Sequence, residues 1–225
     1  MKLPDRFLRY FLILTLLLIV GIVTVSFQSA VEKRQPQPFG RNELQQQYDY
    51  HVRQVMPFIE KVYPRLLFSN GGVALFILLV PLFWVWVWWF RRDLLGTVIL
   101  FMQVSVSILI WAVGHNSFTK LYTTFRTLPP GITAMMYLPH GILEMTAFIL
   151  AGTFSLLCVD TLRTFLVEKN NSPNLHPGEI SLFIFGNVWR QFVLVFFLIA
   201  VAAVLECWVT PQLVKAGLET ALQNS

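Results

Sequence analysis

The sequence predicts an all-α fold: a polytopic membrane helical bundle of about five transmembrane helices, with an amphipathic extracytoplasmic helix in the first loop. Three observations carry this expectation. Hydrophobic residues make up 56% of the 225 residues and charged residues only 13%, whereas a soluble domain carries about 25% charged. Mean hydropathy is +0.62. Mainly apolar runs of roughly 20 residues, enough to cross about 30 Å of hydrocarbon as a helix, recur along the chain. Residues 1–225 therefore read as a single membrane domain.

The first span is expected at about 10–27, preceded by Lys2, Arg6 and Arg9. No small-x-small cleavage pattern follows, since Gln28-Ser29-Ala30 fits poorly, so it reads as an uncleaved signal-anchor. The second, about 72–90, holds Pro81, a kink signal. Trp84, Trp86, Trp88 and Trp89 crowd its end as interface anchors, with Arg91-Arg92 directly after. The third, about 94–114, forms a tight hairpin with the second. The fourth covers about 138–159. The last apolar stretch is too long for one perpendicular span and contains Arg190. The span is placed at about 191–210, with 181–189 as an interfacial lead-in.

The first loop, about 28–71, opens with the Pro-rich Gln35-Pro36-Gln37-Pro38, which disfavours regular structure. Leu44, Tyr48, Val52, Val55 and Ile59 then recur at helical spacing among polar residues, an amphipathic signature bent or broken at Pro57. Such a helix lies on the membrane, packs on the bundle or docks an extracytoplasmic partner. Positive charge near the span ends sets the orientation. Lys2, Arg6, Arg9, Arg91-Arg92 and the 163–169 loop share one side if the N-terminus is cytoplasmic and the C-terminus extracytoplasmic. The first loop's basic residues lie on the other side, spread out and interleaved with acids.

The formal net charge of +5 suits headgroup-facing Lys and Arg. With no basic stripe interleaved with aromatics and no Gly-rich phosphate loop, no nucleic-acid partner is expected. Cys158 and Cys207 fall near opposite ends of their spans, more than roughly 20 Å apart by helical rise, so no bridge between them is expected.

Ionisable groups inside the spans are costly, roughly 2.5–3.5 kcal/mol each on insertion scales, and need a partner, a cavity or a role. His140 and Glu144 share one helix face. With this topology Glu144 lies about six residues, roughly 9 Å, from the outer end of its span, and Glu206 about four residues, roughly 6 Å, from the outer end of the last. Asn70 stands at the outer boundary, and His115 and Asn116 are secondary candidates there. The set reads as an intramembrane polar cluster: interhelical glue or a binding or gating site. Catalysis fits poorly. His140-x-x-x-Glu144 lacks the second histidine of a His-Glu-x-x-His zinc site, and a set completed by His115 and Glu206 has no spacing behind it. No metal, cofactor or enzymatic activity is expected.

Pro139-His140-Gly141-Ile142-Leu143-Glu144, followed by Ala147-Phe148-Ile149-Leu150-Ala151-Gly152, resembles the signature of the stage II sporulation protein M family of integral membrane proteins. Ala202-Ala203-Val204-Leu205-Glu206, with Thr210-Pro211 closing the helix, and Asn70-Gly71-Gly72-Val73-Ala74 resemble the family's other segments, in the same order. The resemblance implies a multi-pass protein of the bacterial cytoplasmic membrane in contact with membrane lipid. It implies a non-enzymatic scaffold that positions or regulates extracytoplasmic cell-wall hydrolases such as stage II sporulation proteins D and P, acting in forespore engulfment where the organism sporulates. The rival expectation is a membrane subunit of a transporter or permease whose buried carboxylates line the path.

Overall fold

The computed structural model describes residues 5–31, 40–90, 94–125, 128–169 and 177–224. The Arg91-Arg92 pair, Lys2 and the stretch Gln35-Pro36-Gln37-Pro38 lie outside the described residues. Among the described residues the chain is helical throughout, with no strand. The helices are α1 (Asp5–Val31), α2 (Arg41–Tyr50), α3 (Ile59–Phe90), α4 (Leu95–Phe125), α5 (Pro130–Lys169), α6 (Pro177–Val204) and α7 (Thr210–Gln223). Hydroxyl residues inside the apolar helices turn back onto their own backbone. Thr15, Ser107, Thr146 and Thr153 each donate to the carbonyl four residues earlier at 2.7–2.9 Å, which satisfies the hydroxyl without an outside partner.

Five helices are long and apolar enough to cross a membrane: Arg6–Thr24, Lys61–Trp88, Leu95–Thr124, Pro130–Val167 and Gly178–Gln223. Their outer faces are as apolar as their inner ones. Phe76 and Phe83 on α3 are more than 60% exposed and Leu182 on α6 is 75% exposed. A helix that is hydrophobic all round belongs in a core or a bilayer, and these exposed faces fit a multi-pass membrane protein.

The helix bounds change several expectations. The first loop is shorter than predicted, because α3 begins at Ile59 and continues unbroken through Pro64 and Pro81. Residues 181–189 do not lie flat as a lead-in. They belong to a continuous α6 whose Ile180, Ile184 and Val188 are buried, with Phe183 stacked on Phe165 of α5 at 4.8 Å. Nor do Thr210 and Pro211 end the last helix. Pro211 stands in the first turn of α7, where its missing N–H costs nothing.

α5 is the hub, packing against α1, α3, α4, α6 and α7. Of its most apolar window 56% is buried, against 17% for the peripheral α1. Small residues permit the close approach. A Cβ on Gly152 would lie 2.8 Å from Leu14 and 2.9 Å from Ile110, and one on Gly114 would lie 3.2 Å from Leu18, so α1, α4 and α5 meet over glycines as tightly packed apolar helices do. At the end of the bundle opposite Arg6, here the cap end, α2, α7 and the start of α5 enclose a second, smaller core of Leu44, Leu128, Ile132, Val214 and Leu218.

α2 is the amphipathic helix expected in the first loop. Gly40 precedes it, and the Glu43 carboxylate accepts the Gly40 N–H at 3.3 Å, half of a capping box because glycine has no side chain to return the bond. Its Leu44 is buried in the cap core, so this helix packs on the bundle. Pro57 lies in a 3-10 turn, Met56–Phe58, which follows a π turn, His51–Val55.

Candidate functional site

The polar residues of the apolar helices gather where the long bundle passes into the cap. α3 brings Asn70, α4 brings Asn116 and Lys120, and α5 brings His140 and Glu144. Glu206 comes from a five-residue π turn, Leu205–Val209, that joins α6 to α7. Ile199 before this turn belongs to the large core, and Val214 and Leu218 after it belong to the small one, so the π turn, with its extra residue, stands where the chain passes from one core to the other.

The Asn70 amide Nδ2 donates to Glu144 Oε1 at 2.5 Å and ties α3 to α5. His140, only 6% exposed, places Nδ1 3.3 Å from the Thr210 hydroxyl and ties α5 to α7. Its ring lies 6.2 Å from that of Tyr137, whose hydroxyl meets that of Thr124 on α4 at 2.9 Å. Glu144 and Glu206 are close enough to feel one another's charge, and both feel Lys120. These pairings fix the levels. Asn70, Glu144 and Glu206 share one layer, with His140, Thr210 and Lys120 about one helical turn, roughly 5 Å, nearer the cap.

All four cluster residues predicted from the sequence, Asn70, His140, Glu144 and Glu206, line a single cavity of about 710 Å³. The secondary candidates divide. Asn116 lines the cavity. His115 does not: its ring packs on Trp111, 5.3 Å between centroids, because it falls on the face of α4 that meets α1. Among the described residues no three His, Cys, Asp or Glu side chains are placed to hold one metal ion.

Sequence reasoning missed Lys120, the cation of the cavity wall. Helical spacing from Asn116 would have found it, since the two share a face of α4. It also missed His51, whose Nε2 donates to the Pro211 carbonyl at 2.9 Å. That buried bond fastens the first π turn to the start of α7. A third omission is Asp160 at the opposite end, here the base end. The Tyr10 hydroxyl donates to Asp160 Oδ2 at 2.6 Å and Arg6 Nη1 stands 3.5 Å from the same oxygen. A lone acid opposite the basic start of α1 was the signal for it.

Comparisons of the chain with known protein families, with curated proteins and with solved structures found no match in any of the three.

Proposed function

We propose that this chain is an integral protein of the bacterial cytoplasmic membrane, N-terminus inside and C-terminus outside. In this reading it serves as a scaffold for extracytoplasmic cell-wall hydrolases. The observation that carries the reading is the cap. α2 and α7 form a small helical platform with its own core, fastened internally by the His51–Pro211 bond and joined to the bundle by the His140–Thr210 bond, one turn above the Asn70–Glu144 bond that ties α3 to α5. A platform held rigidly just outside the bilayer is what a scaffold needs. The signature residues of the resemblance, His140, Glu144 and Glu206, sit where the two parts join.

Photo-crosslinkers at Gln46 and Gln212, both exposed, test the role. Capture of a wall hydrolase supports it, and capture of none in wall-remodelling cells overturns it. The sidedness has its own test. Cysteines at Asn42 and Glu179, also exposed, should react with an impermeant reagent from opposite faces of the membrane, and reaction from one face would refute the topology.

The second reading, a permease subunit, draws on the cavity with its two carboxylates. Glu144→Gln separates the two. A cation-coupled carrier would lose transport while folded, whereas a scaffold either tolerates this near-isosteric change, the amide oxygen still accepting from Asn70, or loses assembly. Recovery of a cytoplasmic ATPase with the intact protein would favour the permease.

A further inference from the structure

The cavity beneath the cap has more accepting groups than the protein fills. Among the described residues, Asn70 takes one oxygen of Glu144 and no hydrogen bond reaches Glu206. Lys120 lines the same wall, yet no ion pair within 4.0 Å joins it to either carboxylate. Direct charge pairing has not been used to fill this space. Carboxylates kept out of bulk water ask for donors, and an ammonium brings three with no acceptor of its own.

Below the carboxylate layer, toward the base end, the wall turns apolar with Val73, Val113, Phe148 and Ile149. At the side, Leu138 and Ile142 of the lining are 57% and 62% exposed. They open the cavity onto the same apolar surface that fits a bilayer. The volume, about 710 Å³, lies in the range of small-molecule sites, about 300–1,000 Å³.

We infer that this cavity binds a primary-ammonium amphiphile, its nitrogen held between Glu144 and Glu206 and its apolar chain lying along the Phe148 side. The ligand enters sideways from the bilayer, between Leu138 and Ile142. Two sources share this chemistry: the ethanolamine headgroup of a phospholipid and a free alkylamine. The inference rests on the membrane reading of the bundle and is independent of the scaffold role. A failure to capture a hydrolase leaves it standing, and a failure to bind amine leaves the scaffold standing.

Titration calorimetry of the purified full chain in neutral detergent tests it, with hexylamine and hexyltrimethylammonium as probes. Hexylamine should bind with one equivalent and the trimethylated cation about tenfold or more weaker, since it has no N–H to donate. Glu206→Gln should weaken hexylamine about tenfold or more. Lys120→Met, which removes a like charge, should tighten it several-fold, and this arm keeps the test decisive if the Glu206 variant fails to fold. Native mass spectrometry then assigns the source. Phosphatidylethanolamine retained over phosphatidylcholine and displaced by hexylamine identifies the headgroup; hexylamine binding without such retention identifies a free amine. No hexylamine binding, equal binding of the two cations, or binding unmoved by both substitutions overturns the inference.

Discussion

In the long bundle α5 turns Ala147, Ala151 and Gly152 inward, while α3 and α6 present Phe76, Phe83 and Phe197 to the outside. In the cap the pattern reverses. α7 buries Val214 and Leu218 and shows Gln212, Glu219 and Thr220. Where the bundle's outer face is as apolar as its inner one, burial from water does not discriminate, and small residues such as Gly152 and Gly114 mark the points of closest helix approach. The cap chooses by polarity, as a helix in water does. In the proposed membrane reading the two regions follow the rules of two solvents, and the polar cavity lies at the seam. That location also explains why the cluster draws on several helices: at the seam each passes from one rule to the other.

The comparison can be broken from the cap side. Leu218→Ala empties a fully buried position and should cost about 2–5 kcal/mol. Amide exchange should accelerate in α2 and α7 while the middle of α4 and α5 keeps its protection. Equal loss in both regions would show a single cooperative unit.

From the bundle side, Gly152→Ala should cost about 1–3 kcal/mol by overpacking, since its new methyl meets Leu14 and Ile110 and both are fully buried. Gly186→Ala on α6 meets nothing within 4 Å and should raise the thermal midpoint through helix propensity, by up to about 1 kcal/mol. Similar responses at the two glycines would show that size does not select the inner face.

At the seam, Asn70→Ala should cost about 1 kcal/mol. Combined with Glu144→Ala it should be non-additive, as read from the thermal midpoints of the two single variants and the double variant. Strict additivity would mean the Asn70–Glu144 bond does not couple α3 to α5.

The smallest effect lies on the cap surface, where the Tyr48 hydroxyl donates to Glu219 at 2.9 Å. This bond holds the Tyr48 phenol above its usual value of 10.0. A raised phenol stabilises the fold while it is protonated, so the contribution is complete below about pH 10 and is lost as pH climbs through the raised value. Tyr48→Phe should lower the neutral-pH midpoint only slightly, because the contact is exposed. Spectrophotometric titration should show the ionisation of one tyrosine moving to lower pH in Glu219→Gln.

Much of this arrangement was legible in the chain. Five apolar runs announced five long helices, and the four-residue interval between His140 and Glu144 placed them on one face. Leu44 and Tyr48 marked the amphipathic α2. The ends of the long helices were not legible, because apolarity declines gradually while the backbone keeps its helical bonds. Residues 59–71 and 211–223 therefore looked like loop and tail and proved to be helix. The cluster's levels followed from counting residues along antiparallel helices. Its full membership did not: His115 and Asn116 are adjacent in sequence, yet one packs on Trp111 and the other lines the cavity.

The sequence by itself determined what is periodic and local: helices, their apolar lengths, their alternating directions and the faces that carry polar groups. Only the tertiary structure decided which faces meet. It joined Lys120 to the cavity, fastened His51 to Pro211, and carried the last helix through a π turn into the cap. The physical reason is that residue spacing sets the angle of a side chain about its own helix axis. The rotation of each helix toward its neighbours is set by glycine contacts, by one extra residue in a turn and by the partners available across the bundle, none of which is a local property of the chain.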